Sequence, residues 1–169
     1  MTQADRSVEH LFPSFASKAE TIVAEMNAWC AVHLGGYTAQ MVEGYRSLTR
    51  QQELFAQGRT TPGEIVTWKD GVKHPSNHQS CLAADLAFER GGHLTWDVPH
   101  AAWEYLQHLA HTHGLTSGAD WTTFKDRPHV EWPTSDRATY AKARNWKARA
   151  GLSESFPSPF SPEKGEILC

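Results

Sequence analysis

Cysteine is scarce: Cys30, Cys81 and Cys169 are odd in number, far apart and form no CxxC pair. A disulfide framework is therefore not expected, and synthesis in a reducing cytoplasm is. Excess charge is also lacking, since sixteen Lys and Arg against nineteen Asp and Glu leave −3 over 169 residues. That balance excludes a phosphate-tracking surface as the main theme, so no nucleic-acid partner is expected, and it does not favour an anionic membrane surface. No apolar run approaches the ~20 residues of a membrane span. The start, Met1-Thr2-Gln3-Ala4-Asp5-Arg6, shows no charged segment followed by an apolar one, so no signal peptide is expected. Internal repeats, an HExxH pair, a nucleophile elbow and a phosphate-binding glycine loop are all missing, which argues against the enzyme classes built on them.

What the sequence does have is ten His, seven Trp and enough apolar residues, 40% in all, for the core of one domain. Ala16, Ala19, Ile22, Val23, Met26 and Trp29 recur at helical spacing, which predicts a helix over 14–33 capped by Ser14. A strand over 38–45 and a short helix over 48–57 follow. Residues 58–80 are rich in Gly, Pro, Thr, His and Asn and read as a long loop, which in a compact domain is usually functional or mobile. A strand over 81–88 turns at Gly91-Gly92 into a short return strand reaching Trp96. Asp97 is the expected cap of a helix that Gly114 ends. Short strands near 115–117 and 129–132 precede a polar helix over 135–150. Together these predict an α+β domain, a small, mainly antiparallel sheet flanked by helices, over residues 1–152. Residues 153–169, SESFPSPFSPEKGEILC, read as a flexible Pro/Ser-rich tail.

Asp85 interrupts an apolar strand, Cys81-Leu82-Ala83-Ala84-Asp85-Leu86-Ala87-Phe88. Alternation puts Leu82, Ala84, Leu86 and Phe88 on one bulky face, and Asp85 among small residues on the other. A carboxylate buried there needs a compensating cation, metal or hydrogen-bond donor, and an ion pair is the simpler of these. His78 lies seven residues upstream in the polar loop, and His129 opens the later apolar strand. Two His and one Asp would give a zinc ion three protein ligands and leave a position for water, the arrangement of a catalytic rather than a structural site. Asp126, across a turn stiffened by Pro128, could accept that water's proton.

Ser76-x-His78-x-x-x-x-Ala83-x-Asp85 with Asp126-x-x-His129 resembles the zinc peptidases that cut D-alanine-containing or L-alanyl-D-glutamate bonds of peptidoglycan. These include D,D-carboxypeptidases of vancomycin resistance and phage endopeptidases. Gly44-Tyr45-Arg46-Ser47, Arg50-Gln51 with Ala56-Gln57-Gly58-Arg59-Thr60, Ser117-Gly118-Ala119-Asp120-Trp121 and Pro128-His129-Val130-Glu131 extend the resemblance over roughly 37–133. It implies one Zn²⁺ per chain on His78, Asp85 and His129, with Asp126 as general base and Arg46 steadying the oxyanion. The implied fold is that of the hedgehog signalling domain. Asp at the base position, followed by Pro-His-x-Glu, resembles the L-alanyl-D-glutamate endopeptidase branch. A phage-type endolysin acting in cell lysis is therefore expected, a monomeric enzyme made in the cytoplasm and acting on the cell wall after release. A D,D-carboxypeptidase and a non-catalytic zinc-binding wall module remain the alternatives.

Glu131 is a rival base that could instead orient His129, and Ser76 is expected to shape the loop or meet substrate. Cys81 stands where the family usually has Gly; placed on the strand, about 13 Å from Asp85, it is too distant to share a metal. His108, His111 and His113 at a helix end are expected to be surface or capping residues.

Overall fold

The computed structural model describes residues 2–152; the tail expected over 153–169 lies outside them. Helix α1 (Pro13–His33) starts at a proline, whose missing N–H would be unpaired in a first turn anyway, so Ser14 is inside the helix and does not cap it. Phe15, Ala19, Ile22, Met26 and Cys30 recur every three or four residues and are buried. Strand β1 (Tyr37–Glu43) and helix α2 (Leu48–Ala56) follow, and the Ser47 side chain accepts the Arg50 N–H at the helix start.

The long loop ends in a 3-10 turn, Asn77–Ser80. Strand β2 (Ala83–Arg90) begins two residues later than expected, because Cys81 takes a left-handed conformation (φ 61°) with its N–H on the His78 carbonyl. Cys81 therefore closes a turn and does not share a strand face with Asp85. Strand β3 (His93–Thr95) returns from the Gly91-Gly92 turn and stops before Trp96. Helix α3 (His100–Thr112) starts after Pro99, not at Asp97. A residue preceding proline is pushed away from helical angles, so the helix cannot run through Val98, and the Asp97 N–H turns back to the Thr95 hydroxyl. Strands β4 (Thr116–Ser117) and β5 (His129–Glu131) and helix α4 (Arg137–Arg149, capped by Asp136) complete the elements of the described residues.

All strand pairs are antiparallel, in the order β1-β2-β5-β4, with β3 on the far end of β2. One sheet face carries Ala39, Ala84, Leu86, Phe88 and Val130 into a core shared with α1 and with Ala102, Leu106, Leu109 and Ala110 of α3. Trp103 meets Phe88 edge-on at 5.0 Å, so it packs the core. On the opposite face an irregularity in β1 between Met41 and Glu43 brings Glu43 opposite Asp85, and Asp85 lies opposite His129. Directly opposed residues share a face. Glu43, Asp85 and His129 thus form one polar row across three strands, with Glu131 beside it opposite Ala83.

Candidate metal centre

His78 is carried by the 3-10 turn and is buried. Its Nδ1 lies 2.7 Å from the Gly44 carbonyl, which can only accept, so Nδ1 donates and Nε2 presents its lone pair. His129 is fixed in the opposite sense. Its Nε2 donates to Glu131 Oε2 at 2.9 Å, and its Nδ1 faces inward. The inward atoms converge: His129 Nδ1 to Asp85 Oδ1 is 3.0 Å, His129 Nδ1 to His78 Nε2 is 3.2 Å, and His78 Nε2 to Asp85 Oδ1 is 3.4 Å. A tetrahedral ion with ligands at zinc-like lengths needs ligand atoms about 3.3 Å apart, so the three residues fit such an ion as they stand. Three acceptor atoms aimed at one point repel one another unless a cation or a proton lies among them. Among the described residues this is the one His/Cys/Asp/Glu group able to hold a metal ion.

The protonation states follow from the same contacts. Burial pushes the His78 imidazole below its usual pKa, which favours the neutral, ligating form. Burial also opposes charge on His129, but hydrogen bonds to Asp85 and Glu131 outweigh it and lift the pKa to about 10 when no metal competes. Asp85 is held well below the carboxylate range; burial would raise it, and the two imidazoles prevail. Glu131 is lowered in the same way, burial being outweighed by His129. Glu131 therefore stands behind His129, on the ring nitrogen turned away from the centre.

Asp85 also has the ion pair that its sequence context suggested. Its Oδ2 accepts from Arg46 Nη2 at 3.1 Å while its Oδ1 faces the imidazoles, so the two readings coexist on two oxygens. Arg46 is buried and further held by Glu43 Oε2 (2.6 Å) and Gln51 Oε1 (3.0 Å), and its Nε has no partner among the described residues. Glu43 uses its other oxygen for Arg50 Nε at 2.9 Å.

Asp126 comes in on the turn before β5, where its N–H donates to the Gly118 carbonyl and its carbonyl accepts from His129 N. A Cβ at Gly118 would lie 2.3 Å from the Asp126 carbonyl oxygen, so this approach requires glycine. The Asp126 carboxylate has no hydrogen bond among the described residues. Burial, reinforced by the charge on Asp85, raises its pKa to about 6. Ser76 is buried at the head of the 3-10 turn, and its N–H is accepted by Gln79 Oε1, so it shapes the segment that presents His78.

These groups lie on the floor of a cleft of about 800 Å³. Ile65, Val66 and Trp68 line it on the α2 side, and Trp96, Trp121 and Phe124 near β3 and β5. Trp121 packs on the His129 ring at 5.0 Å. Cys81 is outside the ligand group; its thiol is fully buried and pushed up to about 12 by that burial. The other histidines go to separate partners: His111 to Asp120 and His113 to Glu25, each at 2.8 Å, while His108 stacks on Tyr105. Sequence reasoning missed Glu43, Gln51 and Gly118 as parts of the site. The available signal was Glu43 itself, a carboxylate ending an apolar strand three residues before Arg46.

Residues 70–132 match the family described as D-alanyl-D-alanine carboxypeptidase. The peptidoglycan L-alanyl-D-glutamate endopeptidase CwlK of Bacillus subtilis (strain 168) is 38% identical over 104 residues, covering 57% of this chain and 61% of that relative. The chain thus spans about three fifths of the length of this curated relative. Among solved structures, the L-Ala D-Glu endopeptidase ChiX of Serratia marcescens superposes with a TM-score of 0.52 at 17% identity, over 80% of this chain and 90% of that one. DacB from Streptococcus pneumoniae D39 does so at 0.50 and 15%, over 88% and 84%. The family resemblance and the α+β fold read from the sequence are both borne out.

Proposed function

We propose that the chain is a zinc-dependent peptidoglycan endopeptidase that cuts the L-alanyl-D-glutamate bond of cell-wall stem peptides. The observation that carries this reading is the triangle of His78 Nε2, His129 Nδ1 and Asp85 Oδ1, at tetrahedral spacing beside an Asp126 carboxylate with no hydrogen-bond partner among the described residues. Similarity to CwlK supports the choice of bond.

His78, Asp85 and His129 would hold one Zn²⁺, which supplies Lewis acidity to the scissile carbonyl and makes water acidic near neutral pH. Asp126 takes a proton from the attacking water and passes it to the departing amine; a carboxylate whose pKa is raised towards neutrality suits both transfers. Arg46, fixed by Glu43, Gln51 and Asp85, places positive charge where negative charge grows on the carbonyl oxygen, and it need not reorganise to do so. Glu131 holds His129 in the ligating tautomer and raises its basicity. Ser76 acts through the turn that carries His78.

The proposal takes residues 1–152 as one peptidase domain, with the stem peptide as substrate and a monomer as the working unit. Resemblance to phage enzymes supports a lysin that reaches the wall after release from the cytoplasm. A D,D-carboxypeptidase is the second reading, favoured by the description of the matching family. Mass spectrometry of purified peptidoglycan treated with zinc-loaded protein, beside a chelated control, separates them. New amino ends on D-glutamate support the endopeptidase, and released D-alanine supports the carboxypeptidase. No product despite one bound zinc would replace both with a non-catalytic wall-binding module.

A further inference from the structure

We propose that Arg50 reads the free carboxylate of the D-glutamyl residue on the leaving side of the scissile bond; this rests on the endopeptidase reading. Three observations on this chain lead there. Arg50 lines the same cleft as the candidate centre. Its side chain is only 16% exposed, and Nε is pinned to Glu43 Oε1 at 2.9 Å, yet both terminal nitrogens are without a hydrogen bond among the described residues. Glu43, itself buried, divides its two oxygens between Arg46 and Arg50. The two guanidinium groups are therefore held apart by one carboxylate's width and two hydrogen bonds.

Arg46 has a second carboxylate, Asp85, at ion-pair distance, whereas Arg50 has there only its share of Glu43, with Glu53 acting on it from beyond that range. A positively charged fork held in place and facing a cleft is suited to bidentate capture of a carboxylate. Arg6, Lys69 and Lys125 also line the cleft, but all three are exposed and none is held by an ion pair among the described residues.

The chemistry of the bond supplies the ligand. A glutamyl residue has two carboxyl groups; one continues the peptide and the other stays free, as a carboxylate or, when amidated, as a neutral amide. When the free group is on Cα, its carbon lies two bonds, about 2.5 Å, beyond the scissile nitrogen. If Arg46 serves the carbonyl side of that bond, Arg50 stands one carboxylate's width and two hydrogen bonds further along, and the free group falls between them, within reach of Arg50's own hydrogen bonds. Recognition there would make the enzyme sensitive to amidation of the D-glutamate.

Two synthetic peptides test this, L-Ala-γ-D-Glu-L-Lys and its D-isoglutamine counterpart, with zinc-loaded wild type, Arg50→Gln and Arg50→Lys. The wild type is expected to favour the acid by about tenfold or more in kcat/KM. Arg50→Gln should bring the two peptides to within about threefold of each other by weakening only the acid, mainly through KM, and Arg50→Lys should restore part of the preference. The amide peptide reports on the integrity of the site. If both rates fall by the same factor, Arg50 only props Glu43 and Arg46, and the proposal is overturned. Equal wild-type rates on the two peptides overturn it as well. If the wild type cuts neither peptide, the endopeptidase reading fails and this proposal goes with it.

Discussion

A group placed for chemistry is often placed badly for stability, and Asp126 allows the conflict to be measured. Its pKa in the folded, metal-free protein is raised from 3.8 to about 6, by burial first and by the charge on Asp85 second. The folded protein thus holds this proton more tightly than the unfolded chain does. The resulting stabilisation is fully present below about pH 4 and is lost as pH rises through 6. At 1.36 kcal/mol per unit, the ionised carboxylate burdens the fold by about 2–3 kcal/mol at pH 7.5. Asp126→Asn removes the charge and keeps the shape. In a chelator the variant should match wild type at pH 4 and exceed it by about 2–3 kcal/mol at pH 7.5, a rise of about 5–10 °C in Tm for a domain of this size. Urea titrations followed by tryptophan fluorescence at the two pH values provide the measurement. Saturating zinc should shrink the gain, because a nearby cation stabilises the ionised form in wild type. The same variant should keep zinc and lose most turnover. Equal stabilities at pH 7.5, or a more stable wild type, would refute the account of Asp126 as a buried carboxylate raised by Asp85; full activity would refute its role as base.

Removing a ligand and removing its support should differ in degree. His129→Ala should abolish stoichiometric zinc, while Glu131→Gln should weaken it by about 10–100-fold, both read by competition with a chromogenic chelator. Gly118→Ala drives a methyl into the Asp126 carbonyl and to 3.0 Å from His129 Cβ, so turnover should fall by about 100-fold; unchanged turnover would show that the turn yields freely. Cys81→Gly relieves a left-handed conformation worth about 1–2 kcal/mol but loses a buried thiol and adds unfolded-state freedom of similar size. Denaturation should place it within about 1 kcal/mol of wild type with zinc content unaltered, and loss of zinc would contradict the position of Cys81 in a turn outside the centre.

The candidate ligands were legible because each breaks a local rule. Asp85 sits in an apolar strand, and two histidines begin or precede such strands at spacings shared with a known group of peptidases. The α1 and α3 stripes were legible from periodicity, which is set by short-range geometry. What escaped was decided by contacts distant in sequence. Nothing near Glu43 shows that an irregular register will set it opposite Asp85 and between two arginines. Gly118 is needed only because Asp126, eight residues on, folds back against it. Cys81 looked like a strand residue because its neighbours are apolar, and the turn that presents His78 claimed it instead.

The polar row across β1, β2 and β5 also bears on how the molecule comes apart. Asp85 and His129 are 44 residues apart in the chain, and everything from β3 to β4 lies in the loop they close. The strand that brings His129 back is only three residues long, and its outer neighbour only two. A removable cross-link over a loop of that length reduces the freedom of the unfolded chain by the equivalent of about 4 kcal/mol. A bound ion would therefore act as a clasp on the thinnest edge of the sheet. With zinc chelated, amide hydrogens of β4 and β5 should exchange well before those of β1 and β2, and with zinc restored the difference should narrow. The edge that carries His129 would then owe its persistence to the metal, and scarcity of zinc would limit the lifetime of the fold as well as its chemistry.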